Sequence, residues 1–228
     1  MRIATVFFRD DDVYKLDKSF VNFHNAVKGY GVPFTYAVIP GRLRRSMRKF
    51  LVSEMDGNPG MFEVVQHGWK HRNYGTGKTY EFGPSRSFSE QIRDMEKGMR
   101  KMEKAFGDRF TRIFVPPFHG FDDNTTKAAA ELGFRALSVG YSKASDVHGI
   151  STLNVKIKIG EGAGRKAVNM FYNSIKKERI VGVLAHHRTL QANGRDDFDL
   201  MLRVSMDMAK GGIIRMGSMG SVLKEIGA

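Results

Sequence analysis

The chain has 228 residues, a length that suits one domain with a sizeable core, and we expect a single domain spanning residues 1–228. It contains no cysteine, which excludes disulfides and thiolate zinc sites, so any bound metal must use histidine and carboxylate ligands. The 37 lysines and arginines outnumber the 24 acidic residues, and the net charge of +13 favours anionic partners or substrates. No stretch is typical of a secretion signal or a membrane span, so we expect a soluble, cytoplasmic protein.

Strand-like and helix-like runs alternate along the chain. The first apolar run, residues 3–8, predicts a short strand, and the next run carries Phe20, Phe23 and Val27 at helical spacing over 17–29. Further strands are predicted at 33–39, 61–66, 112–115, 135–139, 155–159, 180–185 and 212–215. Further helices are predicted near 43–55, 92–106, 123–132, 164–177 and 196–210. This alternation predicts an α/β fold with a parallel sheet, closed or open.

Polar residues follow four of the predicted strands. They are the triplet at 10–12, the stretches 67–71 and 115–120, and the pair at 186–187. In a (β/α) barrel the functional residues lie at the C-terminal ends of the strands, whereas an open doubly wound sheet gathers its ligand at one switch point. Four strand ends with polar residues therefore favour a barrel. We find neither a P-loop nor a dinucleotide-binding fingerprint.

Three aspartates directly after an apolar run must be solvated, paired or bound to a cation. His67 and His71 are four residues apart, and two histidines with one aspartate form the three-ligand, open-sided site that catalytic zinc requires. Gly68 stands where a zincin metalloprotease has glutamate, which disfavours that class. A non-haem Fe(II) site uses the same ligand types and stays open as an alternative.

Four motifs in order resemble those of the polysaccharide deacetylases, also known as carbohydrate esterase family 4 or NodB-homology domains. They are the Asp-Asp pair, His67-x-x-x-His71, Pro116-Pro117-x-x-Gly120 and Leu184-x-His186. The resemblance spans residues 10–187. It implies a distorted (β/α) barrel of about seven strands, NodB-like, and an enzyme that removes N- or O-acetyl groups from sugars. It also implies a divalent metal, most often Zn2+, with Co2+, Mn2+ or Ni2+ as alternatives.

The resemblance assigns the metal ligands and the base. Asp12, His67 and His71 match the metal-binding residues, and Asp11 matches the carboxylate that acts as the general base. This alignment rests on the stretch Arg9-Asp10-Asp11-Asp12-Val13, which is similar to a form seen in divergent relatives. Asp10 and Asp11 remain the other register of the pair.

The resemblance also places the oxyanion donor and the acid. The backbone N–H of Phe118 would stabilise the oxyanion, and His186 would protonate the leaving group. The neighbouring His187 is either a substrate-binding residue or an exposed neighbour. Two features depart from the family: Val115 replaces the arginine that usually precedes the two prolines, and Asp146 is only an uncertain match for the aspartate that tunes the acid.

Several further residues are candidates for the substrate pocket because aromatic faces pack on sugar rings. The candidates are Trp69, Pro117 and His119, with Glu81 and Arg86 as uncertain members. The alternative for residues 80–86 is a loop anchored by Tyr80 and Phe82.

Three functions stay open on the sequence. The first is a metal-dependent deacetylase acting on an acetylated, possibly anionic, sugar or glycan. The second is a hydrolase of the same mechanism acting on a non-sugar amide. The third is a catalytically inactive protein that binds nucleic acid or an anionic surface through the basic residues at 42–49, where stacking aromatic residues are lacking. The complete set of metal and acid-base residues favours a hydrolase, and we expect no nucleic-acid partner.

Overall fold

The computed structural model describes residues 3–140, 148–160, 164–190 and 192–227. In this part of the chain strands and helices alternate, as the sequence predicts. The strands are β1 (Ala4–Val13), β2 (Phe34–Val38), β3 (Phe62–His67), β4 (Phe110–Val115), β5 (Ala136–Val139), β6 (Ser151–Lys158), β7 (Ile180–Ala185) and β8 (Ile214–Met216). The helices are α1 (Lys18–Tyr30), α2 (Arg45–Gly57), α3 (Phe88–Phe106), α4 (Asp123–Glu131), α5 (Gly164–Lys177), α6 (Ala192–Lys210) and α7 (Met219–Ile226).

Strands β1 to β7 close into a parallel barrel. β1 pairs with β7 on one side and with β2 on the other, and β2 to β7 follow one another around the ring. β8 pairs with β1 only at residues 4–6, before β2 joins β1 at Phe8. The predicted barrel of about seven strands is therefore confirmed, and it brings the C-terminal ends of all seven strands to one rim.

Alternation along β1 sorts its side chains to two faces of the barrel wall. Phe7 belongs to the apolar cluster inside the barrel, whereas Val6 and Phe8 belong to the larger cluster between the barrel and the helices. Arg9 and Asp11 follow Phe7 at two-residue spacing and share its face. The inside of the barrel is thus apolar at the level of Phe7 and charged closer to the rim.

The first strand is longer than the sequence predicts. β1 continues to Val13, so the three aspartates lie within the strand and not behind it, because the pairing with β2 extends past them. The register with β2 shifts between Asp10 and Val13, and Asp12 has a φ of 63°. This break in the extended conformation takes the Asp12 side chain out of the alternation that governs the rest of β1.

Helix α7, which the sequence analysis did not predict, closes the opposite end of the barrel. Its apolar residues join the cluster inside the barrel. Its N-terminus meets the buried Glu63 carboxylate, whose two oxygens accept hydrogen bonds from the Gly220 amide at 3.1 and 3.0 Å. The hydroxyls of Thr35 and Thr111 donate to the same carboxylate. A carboxylate at a helix N-terminus is favourable, so Glu63 holds α7 as a plug.

The outer helices bury one face each. In α3, which the sequence predicts as a helix at 92–106, the side chains of Met95, Met102 and Phe106 are buried, and the helix starts with a capping box between Ser87 and Glu90. Among the residues that the structure describes, no helix is long and apolar enough to cross a membrane.

Candidate active site

Asp12, His67 and His71 meet at the rim of the barrel and form a three-ligand cluster. Oδ1 of Asp12 lies 3.1 Å from Nε2 of His71 and 3.6 Å from Nε2 of His67. The three donor atoms all lie within 4.8 Å of one another. Ligand atoms about 2.1 Å from a tetrahedral zinc ion lie about 3.4 Å apart. The spacing therefore fits a single divalent cation.

The orientation of His67 and the pKa shifts of Asp12 and His71 also suit a cation. Nδ1 of His67 lies 3.0 Å from the carbonyl oxygen of Val115; when Nδ1–H donates to it, the lone pair of Nε2 faces Asp12. Burial opposes ionisation of Asp12, but the nearby imidazoles of His67 and His71 outweigh it and lower the pKa of Asp12. Burial also opposes ionisation of His67, but the carboxylates of Asp11 and Asp12 outweigh it and raise the pKa of His67. Burial, together with the nearby His67, lowers the pKa of His71. A carboxylate and a neutral imidazole are the ligand forms that a metal requires.

A buried glutamate shapes the loop that carries His71. Glu81 is 1% exposed, and its carboxylate accepts hydrogen bonds from the backbone N–H groups of Trp69, Lys70 and Arg72. Gly68 has a φ of 55°, and a Cβ at this position would clash with Oε2 of Glu81 and with the ring of Pro117. Glu81 therefore acts on the site by positioning this loop, and only glycine fits at position 68 between His67 and the loop.

Arg9 and Asp11 form a buried ion pair inside the barrel. Nε of Arg9 lies 2.7 Å from one carboxylate oxygen of Asp11, and a second guanidinium nitrogen lies 3.0 Å from the other oxygen. Arg9 also donates to the hydroxyl and carbonyl oxygens of Ser138 on β5. Burial opposes ionisation of Asp11, but the charge of Arg9 prevails and lowers the pKa of Asp11 to about 2. The family's arginine is absent at Val115, and Arg9 provides a guanidinium to this carboxylate from β1.

Asp10 points to the opposite side of the barrel wall. Its carboxylate is fully buried and accepts hydrogen bonds from the ring Nδ1 of His187 at 2.7 Å and from the His187 amide at 2.9 Å. The rings of Phe20 and Phe23 in α1 pack against the His187 ring. His187 is only 2% exposed, so the reading of His187 as an exposed neighbour is wrong. Because Asp10 faces the helices, the geometry favours the pair Asp11 and Asp12 over the other register.

The turn after β4 covers one side of the cluster. Phe118 and His119 have φ values of 60° and 59°, a strained conformation for residues other than glycine. The Phe118 ring lies 4.3 Å from the His71 ring and is 36% exposed, so it forms an apolar surface at the rim. Pro117 is buried next to Gly68. His119 is half-buried, and burial lowers its pKa to about 4, which keeps the ring neutral.

His186 follows β7 and lies within the electrostatic reach of the aspartates. Its side chain is half-buried, and burial lowers the pKa of His186 although Asp11, Asp10 and Asp12 act in the opposite direction. Nδ1 of His186 is buried and has no hydrogen-bond partner among the described residues. Asp146, the uncertain match for the family's acid-tuning aspartate, lies outside the described residues.

Two other candidates for the pocket have different surroundings. Trp69, which lies between His67 and His71 in the sequence, is half-buried. The ammonium groups of Lys70 and Lys101 each lie 5.8 Å from its ring. Arg86 is buried away from the cluster, where it bonds to the Asp94 carboxylate at 2.6 Å and to two backbone carbonyls. Arg86 therefore stabilises the start of α3, and the structure does not bring it to the site.

The fold and the site together define a (β/α)-barrel hydrolase with a His-His-Asp cluster at its rim. A sequence model of the polysaccharide deacetylase family matches residues 4–137, more than half of the chain. The chain belongs to this family and thus to the carbohydrate deacetylases. Among curated proteins, no sequence matches.

Solved structures with the same fold cover nearly the whole chain. One is the peptidoglycan deacetylase PdaC from Bacillus subtilis, with a TM-score of 0.62 and 16% identity over 98% of this chain and 91% of that chain. Another is a family 4 acetyl xylan esterase from Clostridium thermocellum in complex with a cobalt ion, with a TM-score of 0.60 and 12% identity over 97% and 91%. A third is the Xyl-CE4 domain of a multidomain xylanase from the hindgut metagenome of Trinervitermes trinervoides, with a TM-score of 0.64 and 13% identity over 99% and 92%.

Proposed function

We propose that the protein is a metal-dependent hydrolase that removes an acetyl group from an N-acetylated sugar or glycan, with an O-acetylated one as the second choice of substrate. The observation that carries the proposal is the convergence of Asp12, His67 and His71 within 4.8 Å, next to the buried Asp11 carboxylate. Membership of the polysaccharide deacetylase family supports the same reaction.

Asp12, His67 and His71 would hold the ion, which we expect to be Zn2+, with Co2+, Mn2+ or Ni2+ as alternatives. The ligand set of two imidazoles and one carboxylate suits all of these ions. A bound divalent ion supplies Lewis-acid chemistry, since it polarises the acyl carbonyl and lowers the pKa of a water molecule. Asp12 and His71 have positive φ values, which the surrounding structure imposes, so both ligand side chains are oriented before the substrate binds.

Asp11 would accept the proton of the attacking water as general base. Its carboxylate is ionised across the neutral pH range because Arg9 holds its pKa at about 2. The two contacts with Arg9 fix the plane of the carboxylate. Arg9 acts in this scheme as a positioning residue and touches no substrate atom.

The remaining steps fall to the turn after β4 and to β7. The backbone N–H of Phe118 would donate to the oxyanion of the tetrahedral intermediate. His186 would then donate a proton to the leaving amine or alkoxide. Trp69, the Phe118 ring and His119 would contact the sugar, and the net charge of +13 favours an anionic glycan. A cytoplasmic location stays a prediction.

Metal content tests the proposal before any substrate is known. We expect about one zinc or similar ion per purified chain and little or none in Asp12→Ala and His71→Ala. The matched control is His148→Ala, because His148 forms an exposed contact of 2.9 Å with Asp123 that resembles the Asp12–His71 contact in distance only. The loaded protein should release acetate from N-acetylated oligosaccharides. A chain that cannot be loaded with metal, or variants that keep it, would overturn the proposal.

A further inference from the structure

A basic groove lies between the start of α2 and the second half of α3. The groove has a volume of about 530 Å3, within the usual range for ligand sites. Its lining consists of Leu43, Arg44, Arg45, Arg48, Lys101, Lys104 and Ala105. Five cationic side chains thus line one depression, and none of its lining residues is acidic.

The charges of the basic groove are not neutralised within the described part of the chain. None of its five cations forms an ion pair with a described carboxylate. Lys97 and Arg100 on the same helix α3 do form such pairs, with Asp94 and Glu96. Like charges brought together on one surface repel each other, and a bound anion removes that repulsion. The lining therefore matches a negatively charged ligand.

The basic groove borders the loop that joins His67 to His71. At one end Lys101 belongs to the groove and also lies 5.8 Å from the ring of Trp69, which lies between His67 and His71 in the sequence. At the other end the backbone N–H of Arg44 donates to the carbonyl oxygen of Tyr14, two residues after Asp12. An extended ligand in the basic groove would therefore run towards the loop that carries His71 and the chain segment that follows Asp12.

We propose that the basic groove binds the phosphate or carboxylate groups of an anionic acetylated glycan whose acetylated sugar lies at the metal site. This inference rests on the proposed deacetylase function and names the class of its substrate. A nucleic acid fits the groove less well, because its lining offers only Leu43 and Ala105 as apolar residues and no aromatic ring for base stacking.

The chain's single tryptophan provides a direct assay, because Trp69 contacts the groove residue Lys101 and lies in the loop between His67 and His71. We would titrate the zinc-loaded protein and follow Trp69 fluorescence with four probes. They are a hyaluronan tetrasaccharide for carboxylates, inorganic tripolyphosphate for phosphates, the neutral tetra-N-acetylchitotetraose, and a single-stranded 12-nucleotide DNA. The groove variant is Arg45→Gln, Arg48→Gln and Lys104→Gln together. The control variant is Lys176→Gln, Lys177→Gln and Lys210→Gln, which removes the same charge from exposed positions on α5 and α6.

We expect at least one anionic saccharide or phosphate probe to bind the native protein and the control variant with similar Kd, and to bind the groove variant about tenfold more weakly. Binding should weaken with salt, and the neutral tetrasaccharide should not distinguish the two variants. Whichever of the hyaluronan tetrasaccharide and tripolyphosphate binds more tightly identifies carboxylate or phosphate as the natural group. Equal affinity of the groove variant and the control variant for both anions would overturn the inference. Tight binding that depends on the groove residues for the DNA alone would overturn it as well.

The binding assay is separate from catalysis, so the two proposals can fail independently. Groove-dependent anion binding without acetate release from any acetylated saccharide would leave the basic groove in place and count against the deacetylase. Acetate release from the neutral and anionic oligosaccharides with the same kcat/KM, unchanged in the groove variant, would support the deacetylase and overturn the groove.

Discussion

Replacement of Arg9 by methionine would leave the Asp11 carboxylate unpaired inside the barrel. The side chains of the pair are 0% and 3% exposed; the 3.0 Å contact is a charge-assisted hydrogen bond, and the 2.7 Å contact is an ion pair without hydrogen-bond geometry. Removing one partner of a buried pair costs about 3–5 kcal/mol, because the remaining charge is desolvated and unpaired. We therefore expect Arg9→Met to lower the free energy of unfolding by about 4 kcal/mol.

A double-mutant cycle isolates the interaction from the effect of each side chain alone. Asp11→Asn removes the negative charge, and the double variant Arg9→Met with Asp11→Asn removes both charges while the volume changes little. We expect the double variant to be more stable than the sum of the single losses predicts, with a coupling energy of about 2–3 kcal/mol. Urea unfolding, followed by circular dichroism at neutral pH, measures all four proteins.

The matched control is an exposed pair with the same chemistry. Arg100 and Glu96 on α3 lie 2.6 Å apart, but their side chains are 73% and 40% exposed. The same cycle on this pair should give a coupling below about 0.5 kcal/mol. If the Arg9 and Asp11 cycle gave a coupling no larger than this control, the argument that the buried guanidinium holds the Asp11 carboxylate would be refuted.

Three further predictions concern the loop, the plug and the rim. Gly68→Ala should abolish zinc loading, because the new Cβ would clash with Glu81 and Pro117. Gly77→Ala is the control, since a Cβ at this position of the same loop meets no atom and the variant should keep the metal. Equal zinc loading of the two variants would count against the positioning role of the loop. Burial raises the pKa of Glu63, so this side chain binds a proton more readily in the folded state than in the unfolded chain. The free energy of unfolding, compared with that of Glu63→Gln, should therefore fall as the pH rises above about 4.5 towards the raised pKa. A difference in unfolding free energy that does not change with pH in urea titrations would contradict this prediction. Phe118→Ala should raise KM for an acetylated oligosaccharide about three- to tenfold with a smaller change in kcat, and an unchanged KM would exclude the ring from the sugar site.

Much of the barrel could be predicted because its signals are local. Apolar runs of strand length alternate with amphipathic runs, and the polar residues at strand ends such as His67 and His186 already indicate a common rim. Helix α7 was missed because it is only eight residues long and its apolar residues enter the barrel end as a plug. Its anchor, Glu63, lies far away in sequence, so no local pattern relates the two.

The residues of the candidate site could be predicted from the sequence, but the residues that position them could not. Arg9 and Asp11 have the two-residue spacing that puts side chains on one face of a strand, and this signal could have identified the pair once β1 was extended past Phe8. Glu81 offered no such signal, because its partners are backbone N–H groups of a loop that the barrel brings over it. The same alternation explains why Asp10, one residue away, turns to His187 and the helices.

Backbone strain gives an independent argument for the location of the site. Five described residues other than glycine have a positive φ, and Asp12, His71, Phe118 and His119 are four of them. Each such conformation costs about 1–3 kcal/mol and persists only where the surrounding structure imposes it. The barrel wall imposes it at Asp12, the Glu81 carboxylate orders the loop that carries His71, and the buried Pro117 anchors the turn that carries Phe118 and His119. Four strained positions on three separate strand ends converge within one cluster, which is the arrangement expected where a fold uses its stability to hold ligands and donors in advance of binding.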